Sequence, residues 1–205
     1  MPINKSTTFN LITAVLETSG GEIHFRGERI DTLPSREIVK RGIARTFQHV
    51  QLRPRMSALE NVALAVQARS GSSFRFFGEA ARETALNAQA LDALTLVGLA
   101  PRAGVRAGLL SHGEKRLLEI AMAVATAPKI LLLDEPLAGL GQEESVAVIA
   151  LLHALKMRFT IVLVEHDMDA VFALADRVSV LVSGRLLSTG RPQDIRANPD
   201  VRAAY

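Results

Sequence analysis

The spacing of hydrophobic residues changes along the chain, and these changes predict an alternation of helices and strands. Residues 109–136 show both spacings in succession. A helix is predicted where apolar residues recur every three or four positions, at Leu117, Leu118, Ile120, Ala121 and Val124. The run Ile130–Leu133 contains no polar residue, which is typical of a short strand buried on both faces of a parallel sheet.

The same patterns predict further elements on both sides of this stretch. Strands are expected within Gly20–Ile30, from Gly42 to Gln48, from Thr160 to His166 as a second buried strand, and in a hairpin that turns at Ser183-Gly184. Helices are expected from Lys5 to Leu16, Pro34 to Arg41, Ser57 to Val66, Gly78 to Val97, Val146 to Met157, Val171 to Ala175, and twice after Pro192. We therefore predict an α/β fold with a mostly parallel sheet, one domain over residues 1–205 with a helical subdomain at 58–127.

Polar residues begin the predicted helix and end the predicted strand of the central stretch. Ser111 precedes Glu114 by three positions, which is the spacing of a capping box. A helix N-terminus attracts anions, above all phosphate. Asp134 and Glu135 directly follow the apolar run, at the sheet edge where α/β proteins bind ligands. Each feature alone is more often structural, a serine that only caps its helix or carboxylates that are only solvated.

Two further polar residues stand at predicted strand ends. Gln48 ends one strand and His166 ends another. Such a glutamine is usually part of the polar surface, and such a histidine is more often packed or solvated than catalytic. Parallel strands lying side by side would nevertheless bring His166 close to Asp134 and Glu135 at one edge of the sheet.

Composition limits the class of protein. A chain of 205 residues with 48% hydrophobic residues can bury a sizeable core and is not disordered throughout. No apolar run approaches the ~20 residues needed to cross a bilayer. The first residues lack the apolar core of a signal peptide. The absence of cysteine excludes disulfides and thiolate metal sites.

The charge pattern argues against nucleic acid as a partner. The net charge is +3 and the isoelectric point about 9.7, but the basic residues are scattered rather than concentrated in one segment. Aromatic residues make up only 4% of the chain and tryptophan is absent, so few side chains can stack on bases. We interpret most of the basic residues as solvated surface that faces anionic lipid head groups. The basic residues include Arg41, Arg45, Arg53, Arg55, Lys115 and Arg116.

Several motifs together resemble one family. The chain resembles the ATP-binding subunits of bacterial ABC importers, and most closely those of the branched-chain amino acid group. The residues that carry the resemblance are Ala44–Gln48, Leu59–Val62, Leu110–Arg116, Asp134-Glu135, Val164–Met168 and Ile195–Asp200. The resemblance covers nearly the whole chain and implies a P-loop NTPase fold. His112, Glu114 and Gly141 depart from the common family pattern, and Gln142 is the nearest polar substitute for the residue expected at 141.

The first residues resemble the second half of a phosphate-binding P-loop. Lys5, Ser6 and Thr7 precede a predicted helix, as in that motif. Asn4 stands where the last glycine is expected, and the glycine half of the loop and the two opening strands are not among the 205 residues. The resemblance therefore implies an N-terminally truncated ABC ATPase.

The resemblance also implies roles for individual residues. ATP and Mg²⁺ are the expected ligands, Glu135 the general base and His166 the sensor of the γ-phosphate. Nucleotide binding falls to Lys5, Ser6, Thr7, Gln48, Ser111, His112, Gly113, Glu114 and Asp134, and Mg²⁺ to Ser6, Gln48 and Asp134. In the family's head-to-tail dimers Ser111 and Gly113 complete the partner's site.

The partners implied are transmembrane permease subunits, a second ATPase subunit in a homo- or heterodimer and, indirectly, a periplasmic solute-binding protein. The expected location is the cytoplasmic face of the inner membrane, with no transmembrane segment. Three alternatives stay open. One is a truncated, catalytically impaired ATPase that supports only a partner's site. Another is a soluble ABC ATPase of DNA repair or translation, which the lack of coiled-coil heptads and of a basic tail disfavours. The third is a nonfunctional truncated fragment that does not bind ATP.

Overall fold

A computed structural model describes residues 5–46, 52–69 and 79–204 of the chain. The helices are α1 (Lys5–Ile12), α2 (Ser35–Lys40), α3 (Ala58–Arg69), α4 (Glu79–Leu96), α5 (His112–Ala125), α6 (Gln142–Leu155), α7 (Met168–Leu174), α8 (Pro192–Ala197) and α9 (Pro199–Ala204). The strands are β1 (His24–Phe25), β2 (Glu28–Arg29), β3 (Ile43–Arg45), β4 (Ile130–Asp134), β5 (Thr160–Val164), β6 (Val178–Val182) and β7 (Arg185–Gly190). They form two compact units, one of residues 39–162 and the other of residues 1–38 with 163–205.

The unit of residues 39–162 contains the strand that the apolar run predicted. β4 lies beside β3 in parallel, with Ala44 opposite Leu131, and the strand order of the sheet is β3-β4-β5. Leu131, Leu132 and Leu133 are buried, because β4 is the middle strand. The predicted parallel sheet around a buried strand is therefore confirmed.

Three helices of this unit, α3, α4 and α5, pack against one another. Val62 on α3, Leu94 on α4 and Leu118 on α5 are fully buried. The N-terminus of α3 has the capping box predicted from the sequence: the Ser57 N–H donates to Glu60 Oε2 at 2.6 Å, and the Glu60 N–H donates to Ser57 Oγ at 3.2 Å. All three helices fall within residues 58–127. That these residues form a separate subdomain stays a prediction.

The other unit is built around two antiparallel hairpins. β1 and β2 are joined at Arg26-Gly27, and β6 and β7 at Ser183-Gly184, as the sequence predicted for the second hairpin. All four linking residues have positive φ, the conformation that two-residue hairpin turns require. A small core of Val178, Val180, Ile195 and Val201 joins the second hairpin to the two C-terminal helices.

Three predicted elements differ from the structure. β5 was expected to be buried, but Val162 is 40% exposed because β5 is an outer strand in the order of the described sheet. α1 ends at Ile12, before the exposed Val15 and Leu16, and Ala14 follows with a φ of 50°. α6 begins at Gln142, four residues earlier than predicted, because the Glu144 carboxylate caps it.

Within the described part of the chain, no helix is long and apolar enough to span a membrane.

Candidate functional site

The carboxyl end of β4 places Asp134 in the interior of its unit. Its Oδ2 accepts a hydrogen bond from Arg45 Nη2 at 2.9 Å, and the two side chains are 1% and 6% exposed. Asp134 Oδ1 is buried and has no hydrogen-bond partner among the described residues. Because Arg45 is buried, the interpretation of this residue as solvated surface is wrong. Asp134 provides the counter-ion that a buried charge needs.

Glu135 follows at the end of the strand with an unusual main-chain conformation. Its φ is 48°, in the left-handed region that residues other than glycine rarely adopt. Its carbonyl oxygen accepts hydrogen bonds from the Ala138 N–H at 3.1 Å and from Arg116 Nη2 at 3.3 Å. The main chain of the predicted catalytic residue is therefore fixed from two sides.

The N-terminus of α5 has the predicted capping box. Glu114 N–H donates to Ser111 Oγ at 3.1 Å, and Ser111 N–H donates to Glu114 Oε2 at 2.8 Å. The Gly113 N–H donates to Glu144 Oε1 at 3.1 Å. Ser111 and His112 are exposed, so the start of α5 is accessible on the surface of its unit.

Sequence analysis missed Glu144, which joins the N-termini of two helices. One carboxylate oxygen accepts the Gly113 N–H of α5 and the other accepts the Gly141 N–H of α6 at 3.1 Å. A Cβ atom at position 113 would lie 2.5 Å from Glu144 Oε1, so this contact requires glycine. The spacing of Gly141 and Glu144, which is that of a capping box, was the available signal.

Arg116 forms a second buried ion pair, on α5. Its Nη1 donates to Glu119 Oε2 at 2.7 Å, and the two side chains are 6% and 7% exposed. Burial raises the pKa of Glu119, and the positive charge of Arg116 opposes that rise. The interpretation of Arg116 as solvated surface is also wrong, because it lies on the face of α5 that packs inward.

The remaining predicted site residues belong to the other unit or lie outside the described residues. α1 begins at Lys5, with Ser6 and Thr7 in its first turn. His166 is exposed, and its main-chain N–H donates to Glu165 Oε2 at 3.1 Å. Gln48 lies outside the described residues. The structure thus brings Asp134, Glu135 and the Ser111–Glu114 segment into one unit, and the proximity of His166 to them stays a prediction.

No group of three or more His, Cys, Asp and Glu side chains that could hold a metal occurs among the described residues. Asp134 Oδ1 is a buried carboxylate oxygen without a hydrogen-bond partner among the described residues. It suits a site in which the protein supplies only one or two ligands of the metal. Mg²⁺ keeps several waters and commonly takes only one or two protein carboxylates together with phosphate oxygens. The site therefore suits a metal that arrives with a phosphate ligand.

The chain matches two family models. One, described as ABC transporter, matches residues 4–138. The other, described as branched-chain amino acid ATP-binding cassette transporter, matches residues 185–205. The high-affinity branched-chain amino acid transport ATP-binding protein BraF of Pseudomonas aeruginosa is 39% identical over 208 residues, which cover 98% of this chain and 82% of BraF.

Solved structures show the same fold. The ADP conformation of MJ1267, an ATP-binding cassette of an ABC transporter, has a TM-score of 0.82 and 27% identity over 98% of this chain and 82% of its own. A dimeric post-hydrolysis state of the ATP-binding cassette MJ0796, bound to ADP and Pi, has a TM-score of 0.75 and 27% identity over 92% of this chain and 80% of its own.

These similarities and the geometry at the end of β4 agree. The fold and the site define the class as that of an ATP-binding cassette, in which a nucleotide is bound and hydrolysed. The chain belongs to the ABC transporter family, as one of its ATP-binding subunits. The predicted P-loop NTPase fold and family are therefore confirmed.

Proposed function

We propose that this chain hydrolyses ATP to drive an importer of branched-chain amino acids. The observation that carries the proposal is the position of Asp134 and Glu135 at the end of buried β4, in a chain 39% identical to a branched-chain amino acid transport protein. The match of residues 185–205 to a model of the same transporter group supports the choice of solute.

Hydrolysis transfers a phosphoryl group to water, which depends mainly on positioning and on electrostatic stabilisation. Glu135 is the general base that accepts a proton from the attacking water. Lys5, with Thr7 beside it at the N-terminus of α1, neutralises phosphate oxygens where the N-terminus of a helix favours anions. His166 contacts the γ-phosphate.

The residues present fit a magnesium ion. Asp134 Oδ2 is bonded to Arg45, which leaves Oδ1 buried and available to a water of the ion. Ser6 and Gln48 are the other residues proposed to hold Mg²⁺. When bound, the ion neutralises charge on the β- and γ-phosphates.

The chain functions in a larger assembly. We assign to the segment Ser111, His112, Gly113 and Glu114 the completion of the nucleotide site of a second ATPase subunit, in a homo- or heterodimer. The dimeric ATP-binding cassette among the similar structures supports this assignment. Permease subunits and, through them, a periplasmic solute-binding protein are the other partners, at the cytoplasmic face of the inner membrane.

The experiment that tests the proposal is solute uptake in proteoliposomes that contain this chain, its second ATPase subunit and the permease subunits, with the solute-binding protein supplied. We expect ATP-dependent uptake of radiolabelled leucine, isoleucine and valine, and no uptake with the Glu135→Gln variant. Methionine, which is apolar and of similar size but unbranched, is the comparison solute. ATP turnover with uptake of methionine and not of leucine would overturn the choice of solute. Absence of ATP turnover under all conditions would overturn the proposal as a whole.

A further inference from the structure

Glu135 is held in a conformation that does not persist without support. A residue other than glycine with a φ of 48° is strained by roughly 1–3 kcal/mol, and such strain remains only where the surroundings fix it. Two donors contact its carbonyl oxygen, the N–H of Ala138 and the guanidinium of Arg116. The first bond belongs to the local turn, while the second comes from a different element, α5.

Arg116 is itself fixed in position. Its side chain is buried, and Nη1 is bonded to Glu119 one turn further along α5. The other terminal nitrogen, Nη2, contacts Glu135. A planar guanidinium with donors in a rigid fork can hold two acceptors in a defined relation, which a lysine ammonium cannot.

Stability alone does not account for this arrangement. A buried ion pair is weak evidence for stabilisation, because desolvation of the two charges offsets most of their attraction. The Arg116–Glu119 pair therefore contributes chiefly geometry. The guanidinium of Arg116 thereby connects α5 to the main chain of Glu135, the residue that we propose as general base.

We propose that Arg116 is a positioning residue for ATP hydrolysis. By holding the carbonyl oxygen of Glu135, it fixes the main chain from which the carboxylate reaches the attacking water. This inference rests on the proposed function, and specifically on the role of Glu135. Arg116 acts through Glu135, so its effect should depend on the Glu135 carboxylate.

The test compares four variants of the ATPase assembled with its partner subunits: Arg116→Met, Arg116→Lys, Glu135→Gln and the double variant Arg116→Met/Glu135→Gln. The control is Arg158→Met, the same substitution at an exposed arginine. kcat and KM are measured from phosphate release, ATP affinity with a fluorescent ATP analogue, and folding by circular dichroism at the same temperature.

We expect Arg116→Met to lower kcat about 10- to 100-fold, the size of effect that misplacing a catalytic group produces. ATP affinity should stay within about twofold, and Arg116→Lys should have an intermediate kcat because one ammonium replaces the fork. In the Glu135→Gln background Arg116→Met should lower kcat no further. Arg158→Met should match the wild type.

The results separate the two proposals. If Glu135→Gln retains wild-type kcat, the role of Glu135 in the proposed function is wrong. If Glu135→Gln loses activity while folded Arg116→Met or Arg116→Lys does not, the role of Arg116 alone is overturned. An equal loss from Arg116→Met in both backgrounds would also overturn it, since the effect would not pass through the Glu135 carboxylate.

Discussion

Removing one partner of the buried Arg45–Asp134 ion pair should destabilise the fold far more than removing one partner of an exposed ion pair of similar length. Arg45 Nη2 and Asp134 Oδ2 are 2.9 Å apart, and their side chains are 6% and 1% exposed. Arg102 and Glu114 form a pair at 2.8 Å, with side chains 45% and 26% exposed. The two pairs have nearly the same contact distance and differ in their access to water.

The expected magnitude follows from burial. At 2.9 Å and an effective dielectric constant of about 20, the attraction is about 6 kcal/mol, most of which desolvation offsets. Arg45→Met leaves the Asp134 carboxylate buried without its counter-ion, and we expect a loss of about 3–5 kcal/mol. Arg45→Met combined with Asp134→Leu removes both charges, so the double variant should be more stable than Arg45→Met alone. Arg102→Met should cost at most about 1 kcal/mol.

Urea unfolding followed by far-ultraviolet circular dichroism measures these differences. The loss in Arg45→Met should change little between low and high salt, whereas any loss in Arg102→Met should shrink with salt. Equal stabilities of Arg45→Met and Arg102→Met, or a double variant Arg45→Met/Asp134→Leu less stable than Arg45→Met, would overturn this prediction. Either result would mean that the pair is not buried in solution.

Three further predictions concern helix ends and a charged hairpin. Gly113→Ala should displace the Glu144 carboxylate from α5 and cost about 1 kcal/mol in thermal unfolding, whereas in a Glu144→Ala background the same change should be close to neutral. Ser57→Ala removes the cap of α3 and should cost about 1 kcal/mol in urea unfolding; an unchanged midpoint would contradict the capping geometry. The hydrogen bonds from Arg29 lower the pKa of Asp31 to about 2, below its value in an unfolded chain. The ionised Asp31 carboxylate should therefore stabilise the fold fully above pH ~4, and this stabilisation should be lost as the pH falls towards ~2. Acid unfolding of Asp31→Asn should lack this component, and identical acid curves for the variant and wild type would contradict it.

Local patterns were enough to predict much of the fold. The apolar run of β4, the capping boxes at Ser57 and Ser111 and the turn at Ser183-Gly184 each depend on a few adjacent residues, and each is present in the structure. The exposure of β5 was not predictable in this way. A run of apolar residues can form either a central or an outer strand, and only the order of the strands in the sheet decides whether that strand is buried.

The contacts that shape the site depend on distant residues. Arg45 and Asp134 are 89 positions apart, and Gly113 and Glu144 are 31 apart. An arginine in a sequence is most often solvated, and nothing in the residues around Arg45 marks its buried partner. Sequence analysis therefore predicted Asp134, Glu135 and the start of α5 as site residues, while their contacts with the two arginines and with Glu144 became visible only in the structure.

The most direct test of ATP hydrolysis through Glu135 is the rate of phosphate release from ATP by the assembled transporter, compared between wild type and Glu135→Gln. We expect hydrolysis by the wild type and a loss of roughly 100-fold or more in Glu135→Gln, since a general base contributes about that factor. ATP binding should be retained in the variant, because Glu135 acts on water and not on the nucleotide. Equal turnover by the two proteins would contradict the role of Glu135 as general base, and no ATP binding by either would contradict the proposed function.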